Sequence, residues 1–180
     1  MSNPQVQERK AGRPTFMLIG GRPGSGRSLF GTPGPAQVYD PARFLVVGVD
    51  QFTDMIRQGE IQSTGKALYG LEQSLLYHAE SVYLCKQSII EARARGLDVV
   101  LELTMQNDVR GWVPPFRAAG YRIEAHYMCV SPGEAAKRVL IRWRDGPPPM
   151  EGRLIPVELV LGMTRNDENW KRVAALADRL

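Results

Sequence analysis

Cysteine is scarce in this chain. Cys85 and Cys129 are the only two in 180 residues, too few for a disulfide framework, and they form no C-x-x-C pair that would suit zinc or redox chemistry. A reducing, cytoplasmic compartment is therefore expected. Histidine is as sparse: His78 and His126 stand apart from each other and from any Cys or acidic ligand pattern, so structural roles are expected for both. No stretch approaches 18 consecutive apolar residues, which excludes a membrane-spanning helix. The opening MSNPQVQERKAGRP is polar and lacks the apolar run of a signal peptide. Residues 1–14 are expected to be a flexible segment ahead of one domain spanning 15–180. Aromatic residues are 8% of the chain and do not interleave with basic ones, which argues against a single-stranded nucleic-acid platform. Trp112, Trp143 and Trp170 are expected to pack in the core or between helices.

What is present is a globular composition, 43% hydrophobic and 23% charged, with a net charge of +4. Much of the excess is arginine, which suits a phosphate-rich partner. Four short apolar runs have the character of buried strands: Thr15 to Gly20, Phe44 to Val49, Leu97 to Leu103 and Ile123 to Val130. Helical patterns lie between and after them, over about Leu68 to Arg95 with Gly96 as its stop, Arg110 to Ala119, Glu134 to Arg144, and Asp167 to the end at Leu180. Ser131 is placed to cap the third of these and Pro132 fits its first turn. Strands alternating with helices predict an α/β fold, a P-loop NTPase-type parallel sheet with helices on both faces. Ligands of such sheets bind beyond the carboxyl ends of the strands.

Directly after the first run comes Gly21-Arg22-Pro23-Gly24-Ser25-Gly26-Arg27-Ser28, followed by Leu29. It fits the phosphate-loop pattern G-x-x-x-x-G-K-[S/T] except that Arg27 stands at the lysine. Glycines let main-chain N–H groups turn toward a phosphate, and Ser28 is where a hydroxyl holds Mg²⁺. Gly31-Thr32-Pro33-Gly34-Pro35 should end the following helix after about one turn, unlike the usual long one. After the second run, Asp50 can take a proton from an attacking hydroxyl or hold Mg²⁺ through water; it also suits the N-cap of a helix over Phe52 to Arg57. Glu102 interrupts an apolar strand, an expensive burial unless it is paired or binds a ligand. Thr104 follows at the strand end, as a substrate contact or a plain loop hydroxyl. Arg138 and Arg142 share a helix face. Asp145 to Gly152, rich in proline and glycine and flanked by arginines, has the character of a lid. Arg142 and Arg153 are the arginines expected to offset charge on a transferring phosphoryl group.

The ordered segments GGRPGSGRS, VVGVDQF, GLDVVLELT, RVLIRWRDG and MEGRLIP resemble the zeta-toxin family of P-loop kinases over roughly Thr15 to Met163. The phosphate loop and the aspartate also resemble chloramphenicol phosphotransferase-like small-molecule kinases. The zeta-toxin resemblance implies ATP and Mg²⁺, a small-molecule hydroxyl acceptor such as a UDP-sugar or other nucleotide, and an antitoxin partner. It implies Asp50 as general base, Gly21 to Ser28 around phosphate, Glu102 at the metal or substrate site, and Arg142 and Arg153 on the phosphoryl group. Thr104 falls in the substrate cleft. Departures are Arg27 for the family lysine, Gln106 for a basic residue, Lys86 for an acidic one, and no H-P pair near Arg57. A catalytically degenerate kinase fold that binds nucleotide or a protein partner without turnover is the alternative reading. The chain also ends before the strand that closes the sheet in this family, so the resemblance leaves two expectations open, a sequence truncated at Leu180 or a sheet one strand short.

Overall fold

The computed structural model describes residues 12–64, 76–145 and 155–180. Most of the expected leading segment, residues 1–11, and the lid residues 146–152 with Arg153 lie outside them. Four strands, β1 (Thr15–Gly20), β2 (Leu45–Gly48), β3 (Val99–Leu103) and β4 (Arg122–Tyr127), form one sheet in the order β2-β3-β1-β4. Every pairing is parallel. β1 has neighbours on both sides, and all six of its residues are buried, which is why it is written as a continuous apolar run.

Side chains alternate across the sheet. Phe16 and Leu18 of β1 face one way, joined by Val47, Val99, Leu101, Ile123 and Ala125. Helix α2 (His78–Ala94) covers that face through Cys85, Ile89 and Ala92, and α3 (Val113–Ala118) covers it through Val113 and Phe116. The Phe116 ring stacks on Phe16 with centroids 3.7 Å apart and meets Tyr121 edge-on at 4.8 Å. Met17, Ile19 and Val100 face the other way and pack with Tyr39, Phe30 and Phe44. The helix after the phosphate loop is a single 3₁₀ segment, Arg27–Gly31. Its successor, the stretch through Tyr39 and Phe44, covers this face in place of a longer helix.

Helix α1 (Val49–Thr64) starts earlier and runs further than Phe52 to Arg57. Asp50 is therefore inside its first turn and not its N-cap. Helix α4 (Pro132–Asp145) opens as expected, with Ser131 Oγ accepting from the Glu134 amide at 3.3 Å. It packs with α5 (Val157–Leu161) through Ala135, Ala136, Val139 and Val160. Trp143 is 45% exposed on the outer side of α4 beside Leu140 and Ile141, so it is not a core residue. Trp112 and Trp170 do pack against the main core.

The last helix, α6 (Asn166–Ala174), ends before Leu180. The chain then turns to lie beside β4. Asp178 N donates to Ile123 O at 2.8 Å, Ala125 N donates to Arg179 O at 3.0 Å, and Glu124 and Arg179 form a parallel bridge. Polar Asp178 and Arg179 hide this edge pairing from a reading based on apolar runs. At the start of β4, Arg13 donates to Gly120 O at 2.7 Å and to Tyr121 O at 2.8 Å, and Arg122 N donates to Pro14 O at 2.8 Å.

Candidate phosphate and acceptor site

The carboxyl ends of β1, β2 and β3 meet at one rim. In register, Ile19 lies opposite Glu102, Gly20 opposite Leu103, and Gly48 opposite Glu102. The phosphate loop leaves β1 there, α1 with Asp50 leaves β2, and Thr104 follows β3.

The loop is shaped by close approaches. Gly24 has φ +80, and a Cβ on it would come within 2.4 Å of Ala135 O and 2.9 Å of Val139 on α4. A Cβ on Gly21 would lie 2.5 Å from Ser25 Oγ. Only glycine permits the loop to sit this tightly on α4 and on itself. Ser25 N closes a turn on Arg22 O at 3.0 Å. By contrast, the N–H groups of Gly24, Gly26, Arg27 and Ser28 have no acceptor among the described residues. Unpaired amides on successive residues of a glycine-rich turn make an anion-binding concavity. Ser28 and Leu29 are exposed at its rim, and Ser25, Arg22 and Pro23 are buried beneath.

Arg22 is committed to the C-terminal segment: Nη2 donates to Met163 O at 3.1 Å and Nη1 lies 3.6 Å from Asp167. Tyr127 donates its hydroxyl proton to the same Asp167 carboxylate at 2.7 Å. Burial and that hydrogen bond together raise the Tyr127 phenol well above its ordinary range. Arg138, paired with Glu134 at 2.8 Å, reaches Ser25 O with Nη1 at 3.5 Å and holds the loop from the α4 side. Arg142 lies one turn further along that face, half-buried. Arg144 is a bidentate partner of Asp145 at 2.7 and 2.6 Å, so its charge is already matched.

Arg27 folds across the loop. Its Nη1 donates to Gly21 O at 2.8 Å and to Leu103 O at 2.7 Å, linking the tips of β1 and β3. This places its charge beside Glu102. Burial raises the Glu102 carboxyl above the usual range, Arg27 opposes the shift, and Asp50 adds to it. The three charged groups therefore share one electrostatic environment. Asp50 is exposed while Glu102 is half-buried, so the pair offers one solvent-facing carboxylate and one that resists ionisation.

A further residue belongs here that sequence reasoning missed. Tyr39 is 7% exposed, packs over Gly31, and has a phenol pushed up to about 12 by burial and then by the charge of Glu102. It lies in a proline- and glycine-rich stretch with no periodic pattern, and only tertiary packing brings it to the rim. Asn166 and Asn169 are also buried here. Asn166 Nδ2 donates to Thr104 O, and Asn169 Nδ2 donates to Met105 O at 2.9 Å and Gln106 O at 3.1 Å. They hold three consecutive carbonyls after β3, including that of Met105, whose φ is +63. Thr104 is thus fixed through its main chain.

The residues present fit a polyphosphate: free amides, a cationic side chain and a concavity that a Cβ would fill. No cluster of three or more His, Cys, Asp or Glu is found among the described residues.

Comparison with known proteins bears on the family and the fold. The profile of the family described as zeta toxin matches residues 3–177. The fold is similar to a chain of the PezAT chromosomal toxin-antitoxin system of Streptococcus pneumoniae, at 13% identity and TM-score 0.69, covering 97% of this chain and 69% of that one. It is also similar to an AvrRxo1-ORF1:-ORF2 structure with ATP, at 16% identity and TM-score 0.66, covering 92% of this chain and 51% of that one. A putative kinase from Chloroflexus aurantiacus aligns at 13% identity and TM-score 0.60, covering 87% and 80% of the two chains. No curated protein matches the chain.

Proposed function

The chain belongs to the zeta toxin family, and from that premise and the rim geometry we propose that it transfers the γ-phosphoryl group of ATP to a hydroxyl of a small molecule. The acceptor is a UDP-sugar or another nucleotide. The observation that carries the reading is the row of amides at Gly24, Gly26, Arg27 and Ser28 with no acceptor among the described residues, at the same rim of the sheet as Asp50. Those amides and the start of the 3₁₀ turn hold the phosphates. The Asp50 carboxylate accepts the proton of the acceptor hydroxyl as its oxygen attacks phosphorus, and ADP leaves. Arg27 and Arg142 offset charge that accumulates on the phosphoryl oxygens, and Arg153, outside the described residues, completes that set in this reading. Ser28 would hold Mg²⁺, which when bound neutralises the β- and γ-phosphates. Glu102 and Thr104 line the acceptor side. An antitoxin-type protein partner and a cytoplasmic setting follow from the family membership as part of the same proposal.

The test is transfer of label from γ-³²P-ATP into a metabolite extract, resolved by chromatography. A labelled small molecule is expected, with the rate lowered roughly 10²–10⁴-fold by Asp50→Asn. An absence of any labelled product, or an Asp50→Asn variant as fast as the parent, refutes the kinase reading.

One observation favours a second reading, a nucleotide-binding fold without turnover. Arg27 spends Nη1 on two main-chain carbonyls, where a lysine would present a point charge between phosphates. Arg27→Lys separates the two. If the natural chain binds ATP without transfer and Arg27→Lys acquires it, the second reading holds; if Arg27→Lys slows an existing transfer, the first does.

A further inference from the structure

The carboxyl-end rim holds a cation that the proposed transfer does not use. Arg22 is bound to Met163 O and Asp167, Arg27 to Gly21 O and Leu103 O, and Arg138 to Glu134 and Ser25 O. Arg110, just past the turn after β3, is forked onto Asp108, with Nε 3.0 Å from both oxygens and Nη2 at 2.6 Å. Arg165 differs. Its side chain is exposed and makes no hydrogen bond or ion pair among the described residues. The carboxylates that follow it on α6 are already matched, Asp167 by Arg22 and Tyr127, and Glu168 by Arg172.

Although the Arg165 side chain is unpaired, its main chain is fixed where the two loops of the site meet. Two residues before it, Met163 O accepts from Arg22 Nη2 of the phosphate loop at 3.1 Å. One residue after it, Asn166 Nδ2 donates to Thr104 O. Its own N–H donates to Gln106 Oε1 at 3.3 Å. Arg165 therefore leaves the chain beside the turn that carries Thr104, on the acceptor side of the rim. Asp50 and Glu102 give that side two carboxyl groups, one exposed and one half-buried. A phosphate-bearing acceptor is repelled by such charge and needs a cation to offset it. An arginine whose donors are all unengaged can pair with two phosphate oxygens at once. It breaks no existing bond in doing so.

We propose that Arg165 binds the phosphate groups of the acceptor, and so selects a phosphate-bearing acceptor over a neutral one. The proposal rests on the kinase reading and deepens it. The phosphates of ATP belong to the loop amides, and those of the acceptor to Arg165. With its anionic end held there, the acceptor leaves its hydroxyl to Asp50.

Inorganic pyrophosphate tests this without turnover. It is titrated by calorimetry into the full chain, with the phosphate loop already saturated by a non-hydrolysable ATP analogue. A second, weaker site is expected in the parent. Arg165→Gln should weaken that site at least about tenfold. Arg165→Lys keeps the charge without the fork and should fall between the two. The ATP analogue should bind all three chains within about twofold of one another. Arg165 is exposed, and circular dichroism verifies that each variant is folded. The absence of a pyrophosphate site in the parent overturns the proposal, as does equal binding by Arg165→Gln. A loss of ATP-analogue affinity as large as that of pyrophosphate also overturns it, because Arg165 would then serve the phosphates of ATP. Label transfer gives a second arm. Arg165→Gln should raise the acceptor KM about tenfold or more while the KM for ATP stays within about twofold. An unchanged acceptor KM overturns the proposal and leaves the kinase reading intact. Absent transfer, with pyrophosphate still bound through Arg165, refutes the kinase reading and leaves a second anion site standing.

Discussion

Glu102 and Arg27 set the character of the rim one side chain at a time. Burial disfavours the ionised form of Glu102, the Arg27 guanidinium favours it, and Asp50 opposes it again. The outcome is a carboxyl raised above the usual value near 4.3, with a definite consequence for stability. Between the ordinary pKa and the raised one, the unfolded chain binds fewer protons than the folded chain, so stability falls as pH rises through that window. Above the folded pKa the loss is complete and constant. Glu102→Gln removes the titration. Urea midpoints measured from pH 4 to pH 8 should show the variant gaining on the parent as pH rises and the two converging at the acid end. A difference independent of pH would mean that the substitution acts through packing alone. Glu102 was legible in the sequence because a carboxylate inside VVLEL has to be explained. The pairing of Arg27 with Leu103 O was not, since it joins residues 76 apart in the chain.

At the scale of elements, the phosphate loop and the turn after β3 are held by neighbours that ordinary pattern reading ignores. α4 takes the loop through Ala135, Val139 and Arg138, and α6 takes the turn through Asn166 and Asn169. Two asparagines one turn apart are usually a solvated helix face, yet these are buried at 0% and 4% exposure, because the carbonyls after β3 have no strand partner and need donors. Asn169→Ala leaves the Met105 and Gln106 carbonyls without that donor, which should destabilise the chain by about 1–3 kcal/mol. Hydrogen exchange should rise first around residues 104–107, where the left-handed Met105 is released. Unchanged exchange there would remove Asn169 from the support of the turn. The truncated helix after the phosphate loop, in contrast, was readable: Gly31, Pro33, Gly34 and Pro35 cannot continue a helix, and the chain forms one 3₁₀ segment and stops. The early end of α6 was hidden, because Asp178 and Arg179 pair with β4 through main-chain atoms and through the Asp178 carboxylate, which accepts from Ile123 N at 2.8 Å, and neither residue belongs to an apolar run.

For the molecule as a whole, these supports converge on a cradle whose amides have no acceptor among the described residues. The fold class was legible because four apolar runs at βαβ spacing admit few other architectures. The sheet order, β2-β3-β1-β4, then puts the ends of β1 and β3 side by side, and the loop at one faces the carboxylate on the other. A ligand that satisfies the cradle must stabilise everything fastened to it: α4 through Gly24, the C-terminal segment through Arg22, and β3 through Arg27. At a nucleotide concentration 100 times its Kd, binding adds about 2.7 kcal/mol, a rise in Tm of roughly 5–10 °C for a chain of this size. Inorganic triphosphate should give much of the same rise, because the amides recognise phosphate and not base. Gly24→Ala must shift the loop off Ala135 O, where a Cβ would lie at 2.4 Å, and must hold alanine at φ +80. That costs about 1–3 kcal/mol in the free chain and should abolish the ligand-induced rise. If Gly24→Ala is stabilised by ATP as strongly as the parent, the nucleotide binds elsewhere, and the unpaired amides of Gly24, Gly26, Arg27 and Ser28 are not its site.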